Sequence, residues 1–206
     1  MAQAADGQPA PSRRVAIFGG SFNPPHVAHV LAVAYALSAA PVDEVLVVPV
    51  FQHPFSKELA PFEDRLAMCR LAVGWLPRVE VSDVERELGG ESRTLRTLEH
   101  LAAVNPGWAM RLLVGADVVA DLPKWHRFDR VAAIAPPIVL GRGGYASIAS
   151  GGAHPIEIAE VTLPQVSSTE VRDALAAGDL DAVRWRLPRA VVEYMVERGL
   201  YGGSAG

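Results

Sequence analysis

A single cysteine, Cys69, stands among the 206 residues. One thiol can form neither an internal disulfide nor a cysteine-based zinc site, and such a chain suits a reducing cytoplasm. Its neighbours follow an apolar helical pattern, so Cys69 reads as a core residue. No apolar run approaches the roughly 18 residues that a membrane helix needs, so no membrane partner is expected. Residues 1–12 are small, polar and proline-containing, without the basic start and apolar centre of a signal peptide. They read as a flexible tail or an alternative start, and residues 13–201 as one domain. An excess of positive charge is missing too. With 19 Lys and Arg against 23 Asp and Glu, the net charge of −4 argues against a nucleic acid partner, while leaving room for a local basic pocket.

What is present is a globular composition, half hydrophobic and one-fifth charged, in a chain long enough for a sizeable core. Apolar strand-like runs recur at Val15–Phe18, Glu44–Val50, Val79–Val81, Met110–Val114, Pro137–Leu140 and Ile156–Val161. Helical patterns stand between them, and three more (Thr169–Ala177, Leu180–Arg186 and Arg189–Arg198) close the chain. Strands alternating with helices predict an α/β doubly wound, Rossmann-like parallel sheet flanked by helices, with a small helical C-terminal part. Glu85–Arg93, with two adjacent glycines, reads as loop, and Asp83, Glu85 and Glu87 with Arg86 read as a solvated charged stretch. The glycine-rich residues 141–152 read as a mobile loop. Trp75, Trp108 and Trp185 read as packing residues, and His53, His100, His126 and His154 as surface or loop histidines.

The stretch Gly19-Gly20-Ser21-Phe22-Asn23-Pro24-Pro25-His26-Val27-Ala28-His29 follows the first strand and opens the first helix. A strand turning sharply into a helix aims backbone N–H groups and a helix dipole at one point, which suits an anion. Glycines allow close approach of a ligand, and His26 and His29 share a face of the first helical turn. A plain turn is the alternative, since the stretch matches neither G-x-G-x-x-G nor G-x-x-x-x-G-K-[ST]. A metal on His-x-x-His is disfavoured because no Glu or Cys stands nearby at a suitable spacing. Farther on, Ser167 and Glu170 form a capping box at a helix start, where Arg172 one turn later could bind phosphate oxygens. By itself that segment could be a helix cap and no more.

Together these residues resemble a known family. Gly-Gly-Ser-Phe-Asn-Pro-Pro-His-x-x-His resembles the signature of the [HT]-x-G-H nucleotidyltransferases, and within them the nicotinate-nucleotide adenylyltransferases. Ala28 replaces the hallmark glycine. Ser167-Ser168-Thr169-Glu170-Val171-Arg172 resembles the family's S-S-T-x-x-R element. Gly115-Ala116-Asp117 and Pro123-Lys124-Trp125 resemble its G-[AQ]-D and P-x-W elements, and Ser92–Leu98 its S-Y-T-x-x-T-L segment, with Arg93 in place of tyrosine. The resemblance runs from about Val15 to Tyr201 and is looser where the acceptor ring should bind.

The resemblance implies transfer of the adenylyl group of ATP to nicotinate mononucleotide, with Mg²⁺ held mainly by ATP phosphates. It implies His26, His29 and Arg172 as catalytic residues. Gly19, Gly20, Ser21, Phe22, Asp117, Ser167, Ser168 and Thr169 would bind ATP, and Lys57, Thr94, Trp125 and Arg142 the acceptor. Arg93 adds a cation that weakly favours the acid over the amide. Nicotinamide mononucleotide as acceptor, and a non-catalytic nucleotide sensor, are the alternatives. A homo-oligomer is compatible with the sequence.

Overall fold

The computed structural model describes residues 13–53, 58–142 and 157–202. Residues 1–12, read above as a tail, lie outside the described residues, as does 143–152 of the glycine-rich loop. Among the described residues six strands are present: β1 (Arg13–Gly20), β2 (Glu44–Pro49), β3 (Val79–Val81), β4 (Trp108–Gly115), β5 (Pro137–Arg142) and β6 (Glu157–Leu163). All pair in parallel, in the order β3-β2-β1-β4-β5-β6. Eight α-helices accompany them among the described residues: α1 (Val27–Ala39), α2 (Phe62–Val73), α3 (Val84–Leu88), α4 (Thr94–Val104), α5 (Phe128–Ile134), α6 (Ser168–Ala176), α7 (Leu180–Arg184) and α8 (Arg189–Glu197).

The near-continuous apolar strands follow from burial on both faces. Along β1, Ala16 and Phe18 enter one core with Val33 of α1, Cys69 of α2, Val171 of α6 and Met195 of α8. Val15 and Ile17 enter a second core with Leu98 of α4 and Val131 of α5. Successive strand residues point to opposite faces, so one strand feeds both cores. The strand order reverses between β1 and β4, and ligands of such sheets sit beyond the carboxyl ends at that reversal.

Several sequence expectations need correction. Glu85–Arg93 is not all loop, since α3 occupies Val84–Leu88. Ser82 Oγ accepts the Val84 N–H at 3.2 Å, and the Arg96 guanidinium donates to the carbonyls of Leu88 and Gly89 at the other end. These partners satisfy the end groups that make a five-residue helix costly. Nor is the charged stretch simply solvated. Glu85 is buried and accepts from the Thr97 hydroxyl, while Arg86 pairs with Glu63 and Asp83. Trp75 and Trp185 are 69% and 63% exposed, so they are not packing residues, although Trp108 does pack against the second core. Gly141 belongs to β5 rather than to a loop. A Cβ there would lie 2.6 Å from the Val161 carbonyl oxygen, so the close approach of β6 excludes a side chain.

Two ties fix the periphery. Arg14 donates to Asp43 from its backbone N–H (2.9 Å) and its Nε (3.1 Å). Chiefly through the side-chain bond, Arg14 lowers the Asp43 carboxyl to about 2. Elsewhere, buried Asp64 of α2 accepts from Tyr194 Oη (2.8 Å) and Arg198 Nε (3.2 Å), joining α2 to α8 and the residue after it. Tyr194→Phe removes one of these bonds, and urea unfolding should show a loss of about 1 kcal/mol. An unchanged midpoint would mean that the phenol contributes nothing.

Candidate active site

The site is built where β1 ends. A Cβ added to Gly19 would meet nothing within 4 Å, so the backbone there is open to a ligand. Phe22 then adopts φ 45° and turns its ring into the first core, edge-on to Phe18 at 5.4 Å between centroids. Buried there, it braces the turn from beneath. The Asn23–Pro24 peptide is cis, and His26 is the N-cap of α1.

Free amides were expected at this helix start, but three N–H groups are taken by protein. The His26 N–H donates to His29 Nδ1 (3.0 Å), the Val27 N–H to the Arg186 carbonyl (2.9 Å), and the His29 N–H to the His26 carbonyl (2.9 Å). The anion-binding capacity therefore passes from the amides to the imidazoles. A neutral ring that accepts at Nδ1 carries its proton on Nε2, so His29 is set as an Nε2–H donor. The two imidazoles stack at 3.7 Å between centroids and 25° between planes. Phe22 closes on His29 edge-on at 5.0 Å. His26 is buried and His29 half-buried, so His29 is the more accessible of the pair. Ala28 is buried in the first core, where its methyl adds packing.

The second motif docks on the first. Ser167 caps α6, its Oγ accepting the Glu170 N–H at 3.2 Å while Glu170 Oε2 accepts the Ser167 N–H at 3.1 Å. Ser168 Oγ donates to the Pro24 carbonyl (2.9 Å), and Arg172 Nη1 to the Asn23 carbonyl (2.8 Å). Arg172 Nη2 also reaches Thr169 Oγ1 at 3.3 Å. Residues 144 and 149 positions apart thus meet on two consecutive carbonyls of one turn. A half-buried guanidinium, two hydroxyls at a helix start and two imidazoles thus gather around the Asn23–Pro24 turn beside the strand reversal, a set of groups chemically suited to a polyanion.

The remaining candidates are spread around the same sheet edge. Asp117 follows β4 at the start of a 3-10 segment, Ala116–Lys124, and is exposed. Its carboxylate lies over Gly115, where a Cβ would collide with Oδ1. Trp125, half-buried, ends that segment and packs on the second core. Thr94 is the first residue of α4. Ser92 just before it accepts the Phe51 N–H (2.9 Å), drawing the end of β2 towards α4. Arg93 is paired with Glu91 at 3.0 Å, which offsets the extra cation expected at the acceptor end. Arg142 is placed as the last residue of β5 by its backbone, and Lys57 lies outside the described residues. Among the described residues, no group of three or more His, Cys, Asp or Glu is arranged to hold a metal ion. None of their helices is long and apolar enough to cross a membrane.

Sequence reasoning missed three residues that hold this site. Arg65 is buried in α2, and Asn23 and Tyr201 are bonded to each other, Tyr201 Oη donating to Asn23 Oδ1 at 2.6 Å. A signal existed for the first. Arg65 lies three and four positions from Phe62, Met68 and Cys69, on the buried face of the helix.

The family model for cytidylyltransferase-like proteins matches residues 17–174. A probable nicotinate-nucleotide adenylyltransferase of Anaeromyxobacter sp. (strain K) is 49% identical over 194 residues, covering 93% of this chain and 98% of its own length. The chain belongs to the nicotinate-nucleotide adenylyltransferases. Another probable member of this adenylyltransferase family, from Myxococcus xanthus, is 40% identical, with 93% and 96% covered. Among solved structures, the Plasmodium falciparum nicotinic acid mononucleotide adenylyltransferase complexed with NaAD shares the fold. Its TM-score is 0.78 at 19% identity, with 93% of this chain and 98% of that chain covered.

Proposed function

We propose that the protein transfers the adenylyl group of ATP to nicotinate mononucleotide, giving nicotinate adenine dinucleotide and pyrophosphate for NAD biosynthesis. The observation that carries this reading is the meeting of His26-x-x-His29 with Ser168 and Arg172 around the Asn23 and Pro24 carbonyls. An oxygen of the acceptor's 5′-phosphate attacks the α-phosphorus of ATP in line. A new P–O bond forms as the bond to the β-phosphate breaks, and pyrophosphate leaves. The attacking phosphate is already anionic, so no protein nucleophile or base is needed. Catalysis then rests on positioning and on stabilising the charge that develops on the phosphates.

His29 suits the central role. Its tautomer, fixed through Nδ1, presents an Nε2–H donor for the α-phosphate as charge builds there. His26, stacked beside it, holds the ring in place and completes the turn. Arg172, with Ser167, Ser168 and Thr169 at the start of α6, would hold the β- and γ-phosphates. Gly19, Gly20 and Ser21 would line the chain of phosphates, and Asp117 would face the ribose. Mg²⁺, held mainly by ATP phosphate oxygens, would supply charge neutralisation on the phosphate chain. On the acceptor side, Trp125 would stack on the pyridine ring and Thr94 would bind its carboxylate. Lys57 and Arg142 would hold the acceptor phosphate. Work in the cytoplasm accords with the one thiol being buried, where desolvation pushes its pKa up and keeps it unreactive.

The test is pyrophosphate release from Mg-ATP with nicotinate mononucleotide and nicotinamide mononucleotide offered in parallel. Release with the acid, at least tenfold faster than with the amide, is the expected result. Equal or faster release with the amide would move the specificity. ATP binding with no release from either acceptor would make the protein a sensor.

A further inference from the structure

An arginine buried to 1% exposure ordinarily faces a carboxylate. Arg65 does not. Its described partners are backbone carbonyls from three separate segments. Nε donates to Ala60 O at 2.9 Å, just before α2. Nη1 donates to Ser21 O at 3.0 Å, in the turn after β1, and to Val50 O at 2.7 Å, just past β2. Nη2 approaches Phe51 O at 3.5 Å, and the guanidinium lies over the Phe62 ring at 5.5 Å. The neighbouring acid, Asp64, looks the other way and serves Tyr194 and Arg198. Burial lowers the Arg65 pKa, yet a guanidinium starts so high that it keeps its charge.

We propose that Arg65 is a positioning residue, whose planar fork sets the distance between the turn that carries His26 and His29 and the loop that follows β2. This rests on the adenylyl-transfer reading, in which the first segment serves ATP and the second leads to the acceptor side. Asn23 reinforces the same pairing, its Oδ1 accepting the Ala60 N–H at 3.0 Å. A flexible backbone would let the two segments drift independently. Nη1 alone bonds both segments, and Nε and Nη2 fix the plane of the group against Ala60 and Phe51, so the directions of the two Nη1 N–H bonds set the separation. In-line transfer is sensitive to that separation, because a misplacement of about 1 Å can cost 10²-fold in rate. The cation has a second effect. Unpaired with any described carboxylate, it leaves positive potential beneath a turn that receives a polyanion.

Arg65→Lys keeps the charge and loses the fork, and Arg65→Met loses both. Each is compared with Tyr194→Phe, which loosens the neighbouring tie from Asp64 to α8 and controls for lost stability. At a temperature where circular dichroism shows all variants folded, Arg65→Lys should lose about tenfold or more in kcat, with the KM for ATP within about threefold. Arg65→Met should lose more, and Tyr194→Phe should stay within about twofold. Hydrogen exchange supplies a readout independent of turnover. In Arg65→Lys it should quicken at residues 20–26 and 50–53 together, while β4 and α4 stay unchanged. Wild-type kcat in Arg65→Lys, or exchange that rises evenly over the chain, would overturn the proposal. If Arg65→Met does not fold, the lysine variant still decides. If the wild-type protein releases no pyrophosphate with either acceptor, the adenylyl-transfer reading falls, and the exchange pattern still tests Arg65.

Discussion

His29→Ala should lower kcat by about 10²–10³-fold while leaving the dissociation constant for ATP within about threefold. In the proposed mechanism the Nε2–H donor meets charge that is greatest in the transition state, so its loss should appear in turnover rather than in binding. The alanine also removes the acceptor of the His26 N–H, which gives a way to separate two effects. His29→Asn restores a carbonyl oxygen for that amide and an N–H donor on a shorter side chain. It should keep α1 seated yet recover only part of the rate. Isothermal titration with a non-hydrolysable ATP analogue and steady-state pyrophosphate assays would measure the two quantities. Near-normal turnover in His29→Ala would remove the proposed chemistry.

Arg172→Ala should act on affinity as well as on rate. The guanidinium secures the Asn23 carbonyl at 2.8 Å and Thr169 Oγ1 at 3.3 Å, and its remaining N–H groups are suited to phosphate oxygens. Charge-assisted bonds contribute about 1.5–3 kcal/mol each, so kcat/KM for ATP should fall roughly 10²-fold. Arg172→Lys should recover less than about a tenth of the loss, because an ammonium cannot reproduce the fork. An unchanged KM for ATP in Arg172→Ala would show that the residue only braces the turn.

How much of this was legible in the chain depends on which interactions are local. β1, β2 and β4 could be read because parallel strands buried on both faces are continuous in apolar residues. The cap of α6 was legible because Ser167 and Glu170 are three residues apart and satisfy each other. By contrast, α3 was missed because its ends are held by Ser82 and by Arg96, a residue of the next helix. The fate of the amides at the start of α1 was equally hidden, since the Val27 N–H is taken by a carbonyl at Arg186, far along the chain. Arg65 and Tyr201 escaped for the same reason, as each acts through partners distant in sequence. At the candidate site, residue types singled out the two stretches, and the long-range bonds that bring them together became visible only in three dimensions.

The bond from Tyr201 to Asn23 spans 178 residues and ties the segment after α8 to the turn before α1. During synthesis, the glycine turn, both histidines and the whole sheet leave the ribosome before Tyr201 does. The strands can therefore pair in order while the turn at Asn23 still lacks this tie, which forms only once Tyr201 has emerged.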